Sequence, residues 1–150
     1  MEQTDLAARI ERLEARNEIS EVIYRYAECV RTGDSATLVD LFTQDATFTV
    51  MRQPAPDGEP TRLLRISTPE EFKAYYIDIT RRPDRAPLVH NLIIDVEGDT
   101  ATASCVMSGA NFDGSAQFLG YYNDTFRRED RWRFTSRLYT VYIVGQNGAD

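Results

Sequence analysis

Residues 87–101 read Pro87-Leu-Val-His90-Asn91-Leu-Ile-Ile-Asp-Val-Glu-Gly-Asp-Thr100-Ala101. The apolar, β-branched run is a strand signal, and Gly98-Asp99 supplies a tight turn into a second strand over residues 100–111. Strict alternation puts His90 on the same side as Leu92, Ile94 and Val96, the side expected to be buried. His90 is the only histidine in the chain. An imidazole sharing a face with the core must be satisfied there or look into a cavity. It is also the side chain best suited to proton transfer near neutral pH. His90 is therefore the first candidate for an acid–base group.

Toward the C-terminus the pattern continues as strands over 115–128 and 131–144, with Asp113-Gly114 and Glu129-Asp130 as turns. Turns this short make the strands antiparallel neighbours. Toward the N-terminus the period changes. Residues 5–31 read as helix, with Leu6, Ile10 and Leu13 followed by Ile19, Val22, Ile23, Tyr26, Ala27 and Val30, and room for a bend near Arg16-Asn17. Gly33 ends it, and Asp34 or Ser35 caps a second helix holding Leu38, Leu41 and Phe42. Residues 46–50 alternate as a strand, 53–60 form a turn-rich loop, and 62–66 form a weaker strand. Thr68-Pro69-Glu70-Glu71 opens a third helix with Phe72, Tyr75, Tyr76 and Ile79 on its apolar side, and 81–86 read as loop. Helices first and a long meander after them indicate an α+β fold. Long strands twist strongly, so helices against the concave side of the sheet make a cone with a pocket at its wide end.

The 150 residues fit a single domain, 1–150. A net charge of −7 argues against nucleic acid and anionic membranes as partners. No apolar run approaches the ~20 residues of a spanning helix, and the acidic N-terminus lacks a signal-peptide layout, so the expected compartment is the cytoplasm. Cys29 and Cys105 fall in a helical and a strand pattern, outside any metal-ligand spacing, and read as small buried thiols. With no Gly-rich phosphate loop and no carboxylate–histidine spacing, neither a cofactor nor a metal is expected.

Three stretches carry a resemblance. They are Ile23-Tyr-Arg-Tyr-Ala-Glu-Cys-Val-Arg-Thr-Gly-Asp34 running on to Asp45-Ala-Thr-Phe48, His90-Asn91 through Ala101, and Gly120-Tyr-Tyr-Asn-Asp-Thr-Phe through Phe134 with Arg137 beyond. Together they resemble the SnoaL-like branch of the nuclear transport factor 2-like superfamily. The resemblance implies a cone-shaped, mixed but mainly antiparallel sheet with N-terminal helices on its concave face. It also implies an aspartate–histidine pair in the pocket, as in the scytalone dehydratase-like members. His90 falls close to the histidine position. Arg31 falls at the aspartate position, where a guanidinium cannot act as a base.

The resemblance suggests a cofactor-independent lyase or isomerase of dehydratase or cyclase type, acting on a small apolar or aromatic molecule. His90 would transfer the proton, while Tyr24, Arg31, Tyr121 and Glu28 would bind substrate. Each has a plainer reading. Arg31 can pair with Glu28 or Asp34 one helical turn away, and Glu28 can be a solvated helix-face carboxylate. Tyr26 reads as packing, whereas Tyr24 lies nearer the Arg31 side. Tyr121 and Tyr122 are adjacent, so one faces inward, and a bulge would swap them. Asn91 reads as a strand-start residue, and Trp132 and Phe134 as core residues sharing a face with Ser136 and Leu138. The missing aspartate motivates the alternative, a non-catalytic binder of a small hydrophobic ligand. The last strand has Leu138 on one parity and Val141 and Ile143 on the other, which suggests a homodimer or higher homo-oligomer through the sheet.

Overall fold

The computed structural model describes residues 2–54, 57–81, 85–115 and 117–144. Helix α1 (Glu2–Thr32) runs unbroken through Arg16 and Asn17. Ala15, Ile19, Ile23, Tyr26 and Cys29 are its buried side, whereas Leu6, Ile10 and Leu13 are exposed. The helix stops at Gly33, whose φ of 81° lets its own N–H and that of Asp34 turn back to the Cys29 carbonyl at 2.9 and 3.1 Å. Asp34 then caps α2 (Ser35–Asp40) by accepting the Thr37 N–H.

Strand β1 (Phe42–Arg52) starts earlier than the alternation suggested, so Phe42 leaves the second helix and heads the strand. Strand β2 (Thr61–Ile66) returns beside it. Helix α3 (Pro69–Thr80) carries the expected capping box, in which Thr68 accepts the Glu71 N–H and the Glu71 carboxylate accepts the Thr68 N–H. Strand β3 (Arg85–Glu97) takes in the last residues of the expected loop. Strands β4 (Thr100–Asn111), β5 (Gln117–Arg128) and β6 (Trp132–Val144) complete the meander.

The six strands form one curved sheet in the order β2-β1-β6-β5-β4-β3. Every pairing is antiparallel except β1 with β6, which makes the sheet mixed. Helices cover one face. Between them and the sheet lies a core rich in rings: Tyr26, Phe42, Phe72, Tyr76, Phe126, Trp132 and Phe134. Cys29 and Cys105 are free, buried thiols. Among the described residues no helix is long and apolar enough to cross a membrane.

Two irregularities in this sheet decide which side chains reach its concave face. In β3, His90 pairs with Val106 but Ile93 pairs with Ser104, so Asn91 and Leu92 together oppose Cys105. This is a bulge, and Asn91 sits in it at φ 52°, a left-handed conformation that asparagine tolerates better than most residues. In β6, Phe134 pairs with Phe126 and Ser136 with Thr125, leaving Thr135 as the extra residue. Each bulge shifts the parity of everything beyond it by one.

Candidate functional site

The shift in β3 moves the histidine. Pro87 and Val89 line the concave face before the bulge, and Leu92, Ile94 and Val96 pack on the core after it. His90 thus points the other way. Its ring is exposed on the outer face of the sheet, with Nε2 2.8 Å from the Ser108 hydroxyl. The alternation argument that placed His90 with Leu92, Ile94 and Val96 fails because a strand with an extra residue no longer has a period of two.

The shift in β6 has the opposite effect. Thr135 and Ser136 both turn outward, where their hydroxyls meet Thr125 at 2.6 Å. Arg137 and Tyr139 turn inward, and Ser136 and Leu138 do not share the face of Trp132 and Phe134. Arg137 is 1 % exposed. A fully buried guanidinium is uncommon unless paired, and this one is. Its Nε lies 3.2 Å from Oδ1 of Asp124, the residue directly opposite on β5 and itself buried. Three rings enclose the same cation. The guanidinium carbon is 3.5 Å from the Tyr122 ring centre, 4.1 Å from Tyr26 and 4.7 Å from Phe134. The pair is held by charge rather than by an aligned hydrogen bond: among the described residues Nε and Nη1 of Arg137 and both carboxylate oxygens of Asp124 have no hydrogen-bond partner.

Arg137 lines a cavity of about 160 Å³ between α1, α3 and the concave face of β1 and β3 to β6. Buried Tyr26, Tyr76 and Tyr122 mark its deep end, and the half-buried Tyr75, Tyr139 and Phe118 surround the rest. The Tyr26 and Tyr76 hydroxyls are 3.0 Å apart. Gly120 makes room for the Tyr139 ring. A Cβ at that position would stand 2.7 Å from Tyr139 Cε2 and 2.5 Å from the Thr140 carbonyl oxygen. Burial raises the pKa of all five lining tyrosines, Tyr75 to about 12, so each stays a neutral phenol that can donate a hydrogen bond. Burial also lifts the Asp124 carboxyl, against the pull of Arg137, to about 6. Arg137 is depressed by burial and raised by Asp124, and the attraction wins, so it is a fixed cation.

The other sequence candidates lie elsewhere. Tyr24 is 51 % exposed on the outer side of α1. Arg31 and Glu28 make the plainer pair, with Arg31 Nε donating to Glu28 Oε2 at 3.0 Å, in solvent and away from the cavity. Glu28 sits on the far side of the helix from Ile23 and Tyr26, and Arg31, on the flank between, turns to Glu28 in solvent rather than to the cavity. Of the adjacent tyrosines, Tyr122 faces inward because β4 and β5 pair without interruption. Tyr121 instead donates to Gln53 Oε1 at 3.2 Å on the outer side. Asn91 is the αL residue of the bulge rather than a loop-bonding strand start. Asp124 was missed, although it alternates with Tyr122 and Phe126, and a charge on a core parity is the signal that finds it. No cluster of three or more His, Cys, Asp or Glu side chains that could hold a metal occurs among the described residues.

The fold is shared with solved structures. An NTF2-like protein with a cystatin-like fold from Novosphingobium aromaticivorans is 26 % identical over 97 % of this chain and 91 % of its own, with a TM-score of 0.70. A protein from the same organism, provisionally described as a scytalone dehydratase, is 18 % identical over 100 % of this chain and 94 % of its own, at 0.67. LinA is 19 % identical over 93 % and 95 %, also at 0.67. No functionally curated protein matches the sequence. The family model for the SnoaL-like domain matches residues 11–138. That span includes both bulges and the Asp124–Arg137 pair, and the chain belongs to the SnoaL-like domain family.

Proposed function

We propose that the cone cavity receives a small, largely apolar or aromatic molecule and holds one of its oxygen atoms against Arg137 and the surrounding phenols. The observation that carries this reading is Arg137: a fully buried cation on the wall of a mainly apolar and phenolic cavity, whose other lining cation, Arg85, is only half-buried and lies over the Phe118 ring, with a buried Arg137 Nη1 that no described residue satisfies. A buried donor without a partner costs about 1–3 kcal/mol, which a carbonyl, carboxylate or phenolate oxygen would recover.

The reaction we assign is cofactor-independent elimination or isomerisation. Family membership and fold neighbours provisionally described as dehydratases support this class. Its chemistry would be electrophilic. Arg137 and the neutral phenols would stabilise negative charge developing on the substrate oxygen as a neighbouring bond breaks. Asp124 stands behind that cation, outside the cavity lining, and balances its charge, so a proton lost by the substrate would pass to water in the cavity. His90 has no part in this reading.

A second reading is favoured by one observation: no imidazole or carboxylate is among the described residues lining the cavity. The protein would then bind its guest without transforming it. Incubation with a panel of small aromatic ketones, phenols and hydroxy-ketones, followed by mass spectrometry, separates the two. Conversion that disappears in Arg137→Met, in protein shown to be folded, supports the catalytic reading. Retention of an unchanged compound that Arg137→Met releases supports the binder. Retention or conversion indifferent to Arg137→Met, in a variant shown to be folded, overturns the site assignment.

A further inference from the structure

Three large apolar side chains on the first half of α1 have no place in the domain. Leu6, Ile10 and Leu13 are 55, 46 and 66 % exposed. At about 100° per residue they form one stripe, roughly half a turn away from Ala15, Ile19, Ile23 and Tyr26, which face the sheet. The stripe continues through Asn17 and Ser20 to the exposed Tyr24. The spacing is alternately four and three residues, the a/d pattern of a coiled coil, with Leu6 and Leu13 at d and Ile10 and Asn17 at a. The flanking positions are charged with a consistent sign: Arg9 and Arg16 at g, Glu14 and Glu21 at e.

We propose that α1 pairs in parallel with α1 of a second copy of this chain, back to back, through Leu6, Ile10, Leu13 and Asn17. The occupant follows from charge. In a parallel pair each g residue meets the e residue five positions on in its partner, so Arg9 meets Glu14 and Arg16 meets Glu21. An antiparallel pair would set arginine near arginine and glutamate near glutamate. Isoleucine at a with leucine at d favours two strands in parallel, and a single asparagine at a fixes their register. The domain permits the approach because its bulk lies on the opposite side of the helix, so two bodies hang outward from the seam. Arg16 already donates to the Ile94 carbonyl at 2.8 Å, which leaves Arg9–Glu14 as the pair that sets orientation.

Light scattering of the intact protein is expected to give twice the 17.1 kDa chain mass, and Ile10→Glu with Leu13→Glu is expected to return it to the single-chain mass with unchanged helical content. Arg9→Glu or Glu14→Arg alone should weaken the dimer about fivefold, and the two together should restore it. Cys29 and Cys105 are buried, so Leu6→Cys adds an exposed thiol, and mild oxidation should link two chains at that position, as parallel register requires. A single-chain mass for the unaltered protein would overturn the proposal. So would a dimer that survives Ile10→Glu with Leu13→Glu and does not link through Leu6→Cys, which would assign pairing to another face, such as the outer side of the sheet.

Discussion

Asp124 and Arg137 stand directly opposite one another on β5 and β6, 3.2 Å apart and both shut off from solvent. Neither is expendable on its own, because removing one leaves the other as an uncompensated buried charge. Arg137→Met is expected to cost about 3–5 kcal/mol in urea denaturation. Arg137→Met combined with Asp124→Leu is expected to recover much of that, since an apolar pair of similar volume is often as stable as a buried ion pair.

The same pair sets a pH dependence. The Asp124 carboxyl is raised by burial from its ordinary 3.8 to about 6. Between those values the folded protein holds a proton that the unfolded chain has lost, so stability from this group is fully present below pH 4 and is lost as pH rises through 6. Asp124→Asn should flatten this part of the stability profile. Thermal melts of the two proteins at intervals between pH 4 and 7 would show it, and equal slopes would contradict it.

His90→Ala is expected to leave both ligand retention and stability within about 0.5 kcal/mol of the parent, because the ring is exposed on the outer face and its contact is to a surface serine. Calorimetric titration with any compound found to bind the cavity checks this. A tenfold loss of affinity would show that the ring reaches the guest.

Asn91 carries the β3 bulge at φ 52°. Asn91→Val forces a β-branched side chain into the left-handed region and is expected to destabilise the fold by about 1–2 kcal/mol, while Asn91→Gly changes it by a few tenths. Urea midpoints of the pair measure the difference.

Gly120→Ala would set a methyl group within 2.5 Å of the Thr140 carbonyl oxygen and 2.7 Å of the Tyr139 ring. The strand must shift or the ring must swing, at a cost of about 1–3 kcal/mol. Guest affinity should fall with it, because Tyr139 is part of the cavity wall.

The elements were legible in the chain because periodicity is local. The helix cap at Thr68, the glycine stop at Gly33 and the hairpin turn at Gly98-Asp99 all stand where the residues require them. The cone and the family were legible through motif resemblance. The site was not: Tyr24, Arg31 and Glu28 lie on solvent-facing sides of α1, and His90 and Arg137 were misplaced for a separate physical reason. A bulge is a relation between two strands, and one strand's alternation cannot reveal where it falls. Asn91 offered a trace, as a residue that tolerates the left-handed region in an otherwise β-branched run. Thr135 offered none. Reading straight through both points turned the histidine inward and hid the arginine.

Strand β6 is made after the other five strands of the sheet, yet it lies between β1 and β5, paired in parallel with β1. The β1–β2 hairpin and the β3–β5 meander therefore share no sheet until the C-terminal strand arrives between them. Closing a contact between residues as distant as Phe48 and Arg137 is slow and late. During synthesis the two halves of the sheet must wait unjoined until β6 has emerged. Loss of β6 would cut the sheet in two rather than shorten it, and the cavity, walled in part by Arg137, Tyr139 and Val141, cannot form before that strand is in place.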